Sequence, residues 1–300
     1  MRALFFRKKS SVLLVNLVDA VAKRCPDQLA VLDAKRSLTY AELSAARDRT
    51  ASGFLNAGLQ PGDRLAVSLP NCVELAIVYH AAFVAGLVVV PINARLAPPE
   101  VSYVLQHSQA SAMVVHDSLM DRLPDDHAGI TQERLWVVGG SSPSFSLVEE
   151  CASEGRLVPL LPDTVAAILY TSGTTSRPKG VTHTHATLWN TASNQAWTQE
   201  FTANDIHLVS LSAAHIAAFA GQLLTAAFAG GAAVLLANPS PQELLDAIVH
   251  HRPTYLQMTP AILTHLLDLV TDPNQLASVK CCIAGGDVVP RTATRAGAGG

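Results

Sequence analysis

The chain has 300 residues, 49% hydrophobic and only 15% charged, which excludes general disorder and allows one large domain or two ordinary ones. Its formal net charge of -3 and its 5% aromatic content supply neither the basic surface nor the stacking platforms of a nucleic-acid binder.

At the N-terminus, Arg2, Arg7, Lys8 and Lys9 precede an apolar run from Val12 to Val15, and Ala20-Val21-Ala22 has the spacing of a cleavage site. Asn16 and Asp19 interrupt the apolar part too early for a signal segment, so an amphipathic opening helix is predicted. Leu29 to Leu38 reads as a hairpin turning at Ala34-Lys35. Thr39 and Glu42 then form a capping box, whose helix runs to about Ala57 and stops at Gly58. Strand Leu65 to Leu69, helix Cys72 to Val84, strand Val88 to Ile92, helix Pro99 to His107 and strand Ala112 to Val115 follow. Residues 117–163 are more polar, are broken by Pro124, Pro143, Pro159 and Pro162, and hold one strand at Leu135 to Val138.

Beyond a buried strand at Val165 to Leu169 comes the stretch richest in chemistry, Tyr170-Thr-Ser-Gly-Thr-Thr-Ser-Arg-Pro-Lys-Gly180. Thr171, Ser172, Thr174 and Thr175 surround Gly173, and Lys179 follows. A turn of this kind after a strand presents hydroxyls and backbone N–H groups to a polyphosphate, and the lysine adds a mobile cation. It is not the common phosphate loop, because Pro178 precedes the lysine and a glycine follows it. No Gly-x-Gly-x-x-Gly occurs either, which removes the dinucleotide fingerprint.

Strand–helix alternation resumes with strand Ile206 to Leu211, helix Ala214 to Phe228, strand Ala232 to Leu236 and helix Pro241 to His250. Strand Thr254 to Gln257, helix Pro260 to Val270 and strand Val279 to Ala284 complete the series. Residues 206–242 carry no Asp, Glu, Lys or Arg, but His207, His215, Gln222, Asn238 and Gly230-Gly231 divide them into core elements rather than a membrane span. The five cysteines, among them Cys281-Cys282, are odd in number and lack a C-x-x-C, which fits reduced thiols in a cytoplasmic protein. The alternation predicts an α/β fold of doubly wound, parallel sheets covered on both faces.

Thr171 to Gly180 resembles the signature of the adenylate-forming (AMP-binding) superfamily, acyl-CoA synthetase type, with Ser176 where that pattern has glycine. Leu38-Thr-Tyr-Ala-Glu-Leu43, Gly62-Asp-Arg-Leu-Ala-Val67 and Val90-Pro-Ile-Asn93 are similar to further elements of the family, so the resemblance covers nearly the whole chain. It implies that residues 1–290 are a truncated N-terminal domain, with about 1–160 as first subdomain and connections, about 161–290 as second, and 291–300 as an irregular tail. The family's later glutamate, its ribose-binding aspartate and its C-terminal domain are absent from the sequence.

The resemblance implies ATP-dependent activation of a carboxylic acid to an acyl-adenylate, then transfer to CoA, with Mg²⁺ as the accompanying ion. Thr171, Ser172, Gly173, Thr174, Thr175 and Lys179 would grip the phosphates, with Thr171 also touching Mg²⁺. His215 would border the acyl pocket as the catalytic candidate, and Gly285-Gly286-Asp287 would lie against adenine. No aspartate lies between Asp205 and Asp246 to hold an α-amino group, which favours a fatty or other amine-free acid. The imidazoles of His183 and His185 lack ligand partners at metal spacing and read as a helix start. Two other readings stay open. One is an inactive nucleotide- or acyl-binding fragment, and the other is a kinase-like transferase releasing ADP.

Overall fold

The computed structural model describes residues 13–141, 144–152, 158–171 and 177–287. The opening helix α1 (Val15–Arg24) leads into the hairpin β1 (Leu29–Leu32) and β2 (Ser37–Thr39), where the Asp33 carboxylate accepts from the N–H groups of Lys35 and Arg36. Thr39 caps α2 (Tyr40–Asn56) in the reciprocal box expected: its hydroxyl accepts from Glu42 N–H, and the Glu42 carboxylate accepts from Thr39 N–H. Then β3 (Arg64–Ser68), α3 (Val73–Val84), β4 (Val88–Pro91), α4 (Pro98–Ser108) and β5 (Ala110–His116) alternate, each within about two residues of its prediction. β6 (Leu135–Val138) and the short α5 (Ser146–Glu149) precede β7 (Val165–Thr171).

After β7 the structure departs from the prediction. The chain returns as β8 (Lys179–Thr184), antiparallel to β7, and continues as α6 (His185–Thr198), with Thr184 as its cap. β9 (Ile206–Val209) follows. The single helix expected next is instead α7 (Ile216–Ala218), a widened π segment (Phe219–Leu224) and α8 (Thr225–Ala229). β10 (Ala232–Leu235), α9 (Pro241–His251), β11 (Tyr255–Met258), α10 (Pro260–Leu269) and β12 (Cys281–Ala284) complete the order.

The strands make two six-stranded sheets, ordered β12-β11-β9-β10-β1-β2 and β6-β5-β3-β4-β7-β8. Pairing is parallel throughout except in the edge pairs β1/β2 and β7/β8. A subdomain division near residue 160 does not follow these sheets. The N-terminal hairpin joins the C-terminal strands, and β7 and β8 extend the sheet of β3 to β6. Register is set by distant partners, Val31 with Ala233 and Val89 with Ala167, which no local pattern encodes.

Alternate residues on each strand explain the layering. Val67, Val89 and Ala167 of one sheet and Val31, Val209 and Ala233 of the other face a shared central core with α1, α2, α3, α6 and α8. The outer face of one sheet packs on α4 through Val90, Met113 and Val115, and that of the other on α9 and α10 through Leu208, Val234 and Leu256. α3, whose sequence is apolar on nearly every side, is buried accordingly between the sheets. Most apolar residues between 206 and 235 belong to these cores, and among the described residues no helix is long and apolar enough to cross a membrane. All five cysteines are free thiols.

Three histidines in the core predict an acid response. Burial pulls His80 down to about 3, His185 to about 4 and His207 to about 3, so each ring is neutral when folded. The unfolded chain takes up these protons near pH 6.5, so the stability they contribute is complete above that pH and is lost as pH falls toward 4. Urea unfolding at pH 7, 6 and 5 should show a decline on the order of 1 kcal/mol per pH unit per ring. His207 stacks on Phe201 with centroids 4.4 Å apart, and neither ring nitrogen has a partner. His207→Phe should flatten the slope, and an unchanged slope would contradict this account.

Candidate active site

The carboxyl ends of the parallel strands from both sheets meet on one side of the molecule, and of the residues singled out in the sequence Thr171, His215 and Gly285 to Asp287 stand at or just beyond such strand ends. Asn71, in the turn after β3, draws the two sheets together. Its Nδ2 donates to the carbonyls of Val209, Leu211 and Leu236 at 3.0, 2.9 and 3.0 Å, and its Oδ1 accepts from Ala213 N–H at 3.1 Å. The Tyr79 hydroxyl donates to Ala213 O at 3.1 Å, so the segment leading to His215 is held from below. Near the rim, the Arg95 guanidinium donates to Asn238 Oδ1 at 2.9 Å, again from one sheet's loop to the other's.

His215 is exposed at the cap of α7, and its Nε2 lies 3.1 Å from Asn93 Nδ2. The other end of the Asn93 amide accepts from Arg95 N–H at 3.0 Å, which fixes the amide as donor to the imidazole. His215 Nε2 is therefore the acceptor, and a neutral ring carries its proton on Nδ1. Counting forward from the pair Val89–Ala167 places Asn93 level with Thr171 on the neighbouring strand. The histidine and the β7/β8 hairpin thus share one edge.

Thr171 ends β7 and Lys179 begins β8, and the two are register partners, both exposed. Ser172, Gly173, Thr174 and Thr175 lie outside the described residues, as does Ser176. Lys179 has no ion-pair partner among the described residues, so its charge is available to a ligand. The glycine after it has a structural reason: a Cβ at Gly180 would lie 2.8 Å from Ile168 Cγ2 and 3.2 Å from Tyr170 Cζ. The flanks of the hairpin are clamped by α4. Tyr103 donates to Pro178 O at 3.1 Å, the Arg177 guanidinium lies 5.8 Å over the Tyr103 ring, and the Tyr170 hydroxyl is 2.7 Å from His107 Nδ1. Burial raises the Tyr170 phenol to about 12, so it keeps its proton.

At the end of β12, Gly285 N–H donates to Met258 O at 3.2 Å, and Gly286 takes φ +87, which requires glycine. A Cβ on Gly285 would meet nothing within 4 Å, so among the described residues nothing demands a glycine there. Gly285, Gly286 and Asp287 are all exposed. No cluster of three or more His, Cys, Asp or Glu suited to a metal is present among the described residues. His183 and His185 flank the start of α6, and His185 is fully buried against Phe83.

Asn71, Asn93, Tyr103 and His107 escaped the sequence reading. The available signal was an asparagine two or three residues past a strand end in both Pro70-Asn71 and Ile92-Asn93, where open α/β sheets bind ligands.

Two parallel-rich sheets sharing a helical core, with loops gathered at the strand ends, define an acyl-CoA synthetase-type N-terminal α/β fold. The sequence profile of the AMP-binding enzyme family matches residues 18–297, and the chain belongs to that family. It is 31% identical over 242 residues to the crotonobetaine/carnitine–CoA ligase of Salmonella typhimurium, an overlap covering 77% of this chain and 47% of that one. The chain therefore spans about half the length of the curated relatives it matches. ATP-bound MatB from Rhodopseudomonas palustris is similar in structure, with a TM-score of 0.82 and 27% identity over 94% of this chain and 56% of that one. A long-chain-fatty-acid-CoA ligase from Archaeoglobus fulgidus gives a TM-score of 0.86 at 25% identity, over 94% and 59% of the two chains.

Proposed function

We propose that this chain forms the nucleotide- and acid-binding part of an ATP-dependent acid–CoA ligase. The observation that carries the reading is Lys179, an exposed cation without an ion-pair partner among the described residues, facing Thr171 across a hairpin at the carboxyl edge of the sheet. Lys179, Thr171 and the loop between them hold the β- and γ-phosphates of ATP. A carboxylate oxygen attacks the α-phosphorus, the bond to the bridging oxygen breaks, and pyrophosphate leaves with that electron pair. Catalysis here consists of alignment and charge neutralisation. Thr171 would offer a hydroxyl oxygen to Mg²⁺ bound with the ATP phosphates, an ion that would supply charge neutralisation there.

His215, oriented by Asn93, presents its Nδ1–H as a donor beside the acyl and phosphate groups. The space around Gly285 and Gly286 accepts the flat adenine ring against the backbone. The acyl group then passes to the sulfur of CoA as AMP departs, a step in which the rest of a full-length ligase takes part. The acids of the named relatives differ from one another, a carnitine in one case and a long-chain fatty acid in another, and support a carboxylic acid without fixing its chain.

Carboxylate labelled with ¹⁸O tests the reaction class. Adenylate formation followed by cleavage at the carbonyl transfers one labelled oxygen to AMP, whereas release of ADP without label would overturn the reading in favour of a kinase-like transfer.

The clamp from α4 gives a second prediction. Tyr103→Phe removes the hydrogen bond to Pro178 O, and should weaken ATP binding about 3- to 10-fold, the worth of one hydrogen bond, while leaving the melting temperature nearly unchanged. Calorimetric titration with ATP·Mg²⁺ measures it, and wild-type affinity in the variant would remove Tyr103 from the positioning of Lys179.

A further inference from the structure

We propose that Arg95 is a positioning residue for His215. With Asn238 it closes a ring of hydrogen bonds that holds the imidazole in the tautomer carrying its proton on Nδ1. The inference rests on the adenylation reading above for the use made of His215, while its geometry stands independently.

The ring runs through loops of both sheets. Asn71, after β3, donates to the carbonyls of Leu211 and Leu236. Asn238 N–H donates to the same Leu236 carbonyl at 3.1 Å, and Asn238 Oδ1 accepts from the Arg95 guanidinium at 2.9 Å. Arg95 N–H donates to Asn93 Oδ1 at 3.0 Å, and Asn93 Nδ2 stands 3.1 Å from His215 Nε2. The way back leads through Ser212, whose carbonyl accepts from His215 N–H at 3.0 Å, to Ala213 N–H, which donates to Asn71 Oδ1. β3 and β4 belong to one sheet and β9 and β10 to the other, so side chains from one sheet's loops tie the two together at Asn71, Asn93 and Arg95.

The order of these bonds decides the tautomer. A side-chain amide has a donor end and an acceptor end, and Asn93 spends its acceptor end on Arg95 N–H. Its donor end faces His215 Nε2, which then accepts. Turned over, the amide would bring its oxygen to Nε2, and a neutral ring would carry the proton there instead. Two orientations of one amide thus correspond to two tautomers of one histidine.

Burial does not enforce the choice. His215, Arg95 and Asn238 are exposed and Asn93 is half-buried, so water competes for each bond. What keeps the amide from turning over is the closed turn beneath it, in which Leu96 N–H also donates to Asn93 O at 3.0 Å. The Arg95 side chain anchors that turn on the opposite sheet. Asn238 suits the anchor: its φ of +53 lies in the left-handed region, where glycine would fit but would offer no acceptor. A free imidazole in water favours the Nε2–H form, so the ring selects the other form before any ligand arrives, which is preorganisation of a donor.

Long-range ¹H–¹⁵N spectra of the ¹⁵N-histidine-labelled chain test this at pH 8.5, where imidazole in water is neutral. A His215→Gln variant assigns the signal. The wild type should show a protonated Nδ1 and a bare Nε2. Arg95→Met, which keeps the side-chain stem, should move the ratio about 3-fold or more toward Nε2–H, the worth of one hydrogen bond. Asn238→Gly should do the same with the Arg95 charge in place, which separates the bond from the charge and decides alone if the methionine variant does not fold. Asn238→Asp keeps an acceptor for Arg95 and should keep the wild-type ratio. A protonated Nε2 in the wild type overturns the inference. A wild-type ratio in both Arg95→Met and Asn238→Gly overturns the role of Arg95. Calorimetry with pentanoyl-sulfamoyl-adenosine on the same proteins tests the reading beneath it, and affinity should fall about 3- to 10-fold wherever the tautomer shifts. A shifted tautomer with unchanged affinity overturns the use of His215 in adenylation and leaves its positioning by Arg95 standing.

Discussion

Lys179→Met is expected to reduce affinity for ATP·Mg²⁺ roughly 100-fold, about 2.7 kcal/mol, while leaving the fold intact. Both halves of the expectation come from the same geometry. The lysine is exposed at the first residue of β8 and has no ion pair among the described residues, so its removal costs the folded chain little. Its register partner is Thr171, at the end of β7, so under the proposed function its charge stands beside the ATP phosphates. Lys179→Arg should recover only part of the loss, because a planar guanidinium does not reproduce a mobile point charge. Calorimetric titration of the three proteins, with melting curves in parallel, measures this. Unchanged affinity in the methionine variant would remove Lys179 from the nucleotide site. A large drop in melting temperature would show that the residue is structural.

Asn71→Ala is expected to give the largest stability loss among the site residues, about 2–4 kcal/mol. One side chain satisfies three carbonyls and one N–H from the ends of β9 and β10, and it is only 6% exposed. Alanine removes the partner of the Leu211 carbonyl and of Ala213 N–H in a partly buried joint, while the carbonyls of Val209 and Leu236 keep the N–H groups of Leu236 and Asn238. The same joint fixes Ala213, two residues before His215, so ligand affinity should fall along with stability. Urea unfolding gives the first quantity and adenylate-analogue binding the second. A variant with wild-type stability would contradict the role of Asn71 in holding the sheets together.

These two residues differ in how visible they were in the sequence. Lys179 stands in a motif whose residue types announce phosphate chemistry. Asn71 is one asparagine in a short turn, and its importance comes from partners 138 to 165 positions away. Most strands and helices were legible because they bury one face or both, which produces the apolar runs and helical periods that a sequence displays. β8 was not. It is an edge strand of mixed polarity, Lys179-Gly-Val-Thr-His-Thr184, mostly exposed or half-buried, and such strands carry little pattern. The π segment was hidden for the opposite reason: residues 219–224 are all buried, so no apolar stripe marks the change of winding. Sheet membership was illegible because strand partners are chosen by long-range packing, as when Val31, already paired with Leu38 in the local hairpin, takes Ala233 as its partner on the other side.

Hydrogen–deuterium exchange of the purified chain, with and without an acyl-sulfamoyl-adenosine, tests the shared edge most directly. Protection is predicted in peptides covering 169–184, 209–220 and 284–287, the carboxyl ends of β7, β9 and β12 with the hairpin return. Binding that protects the amino ends of these strands, or segments away from all three, would contradict the account.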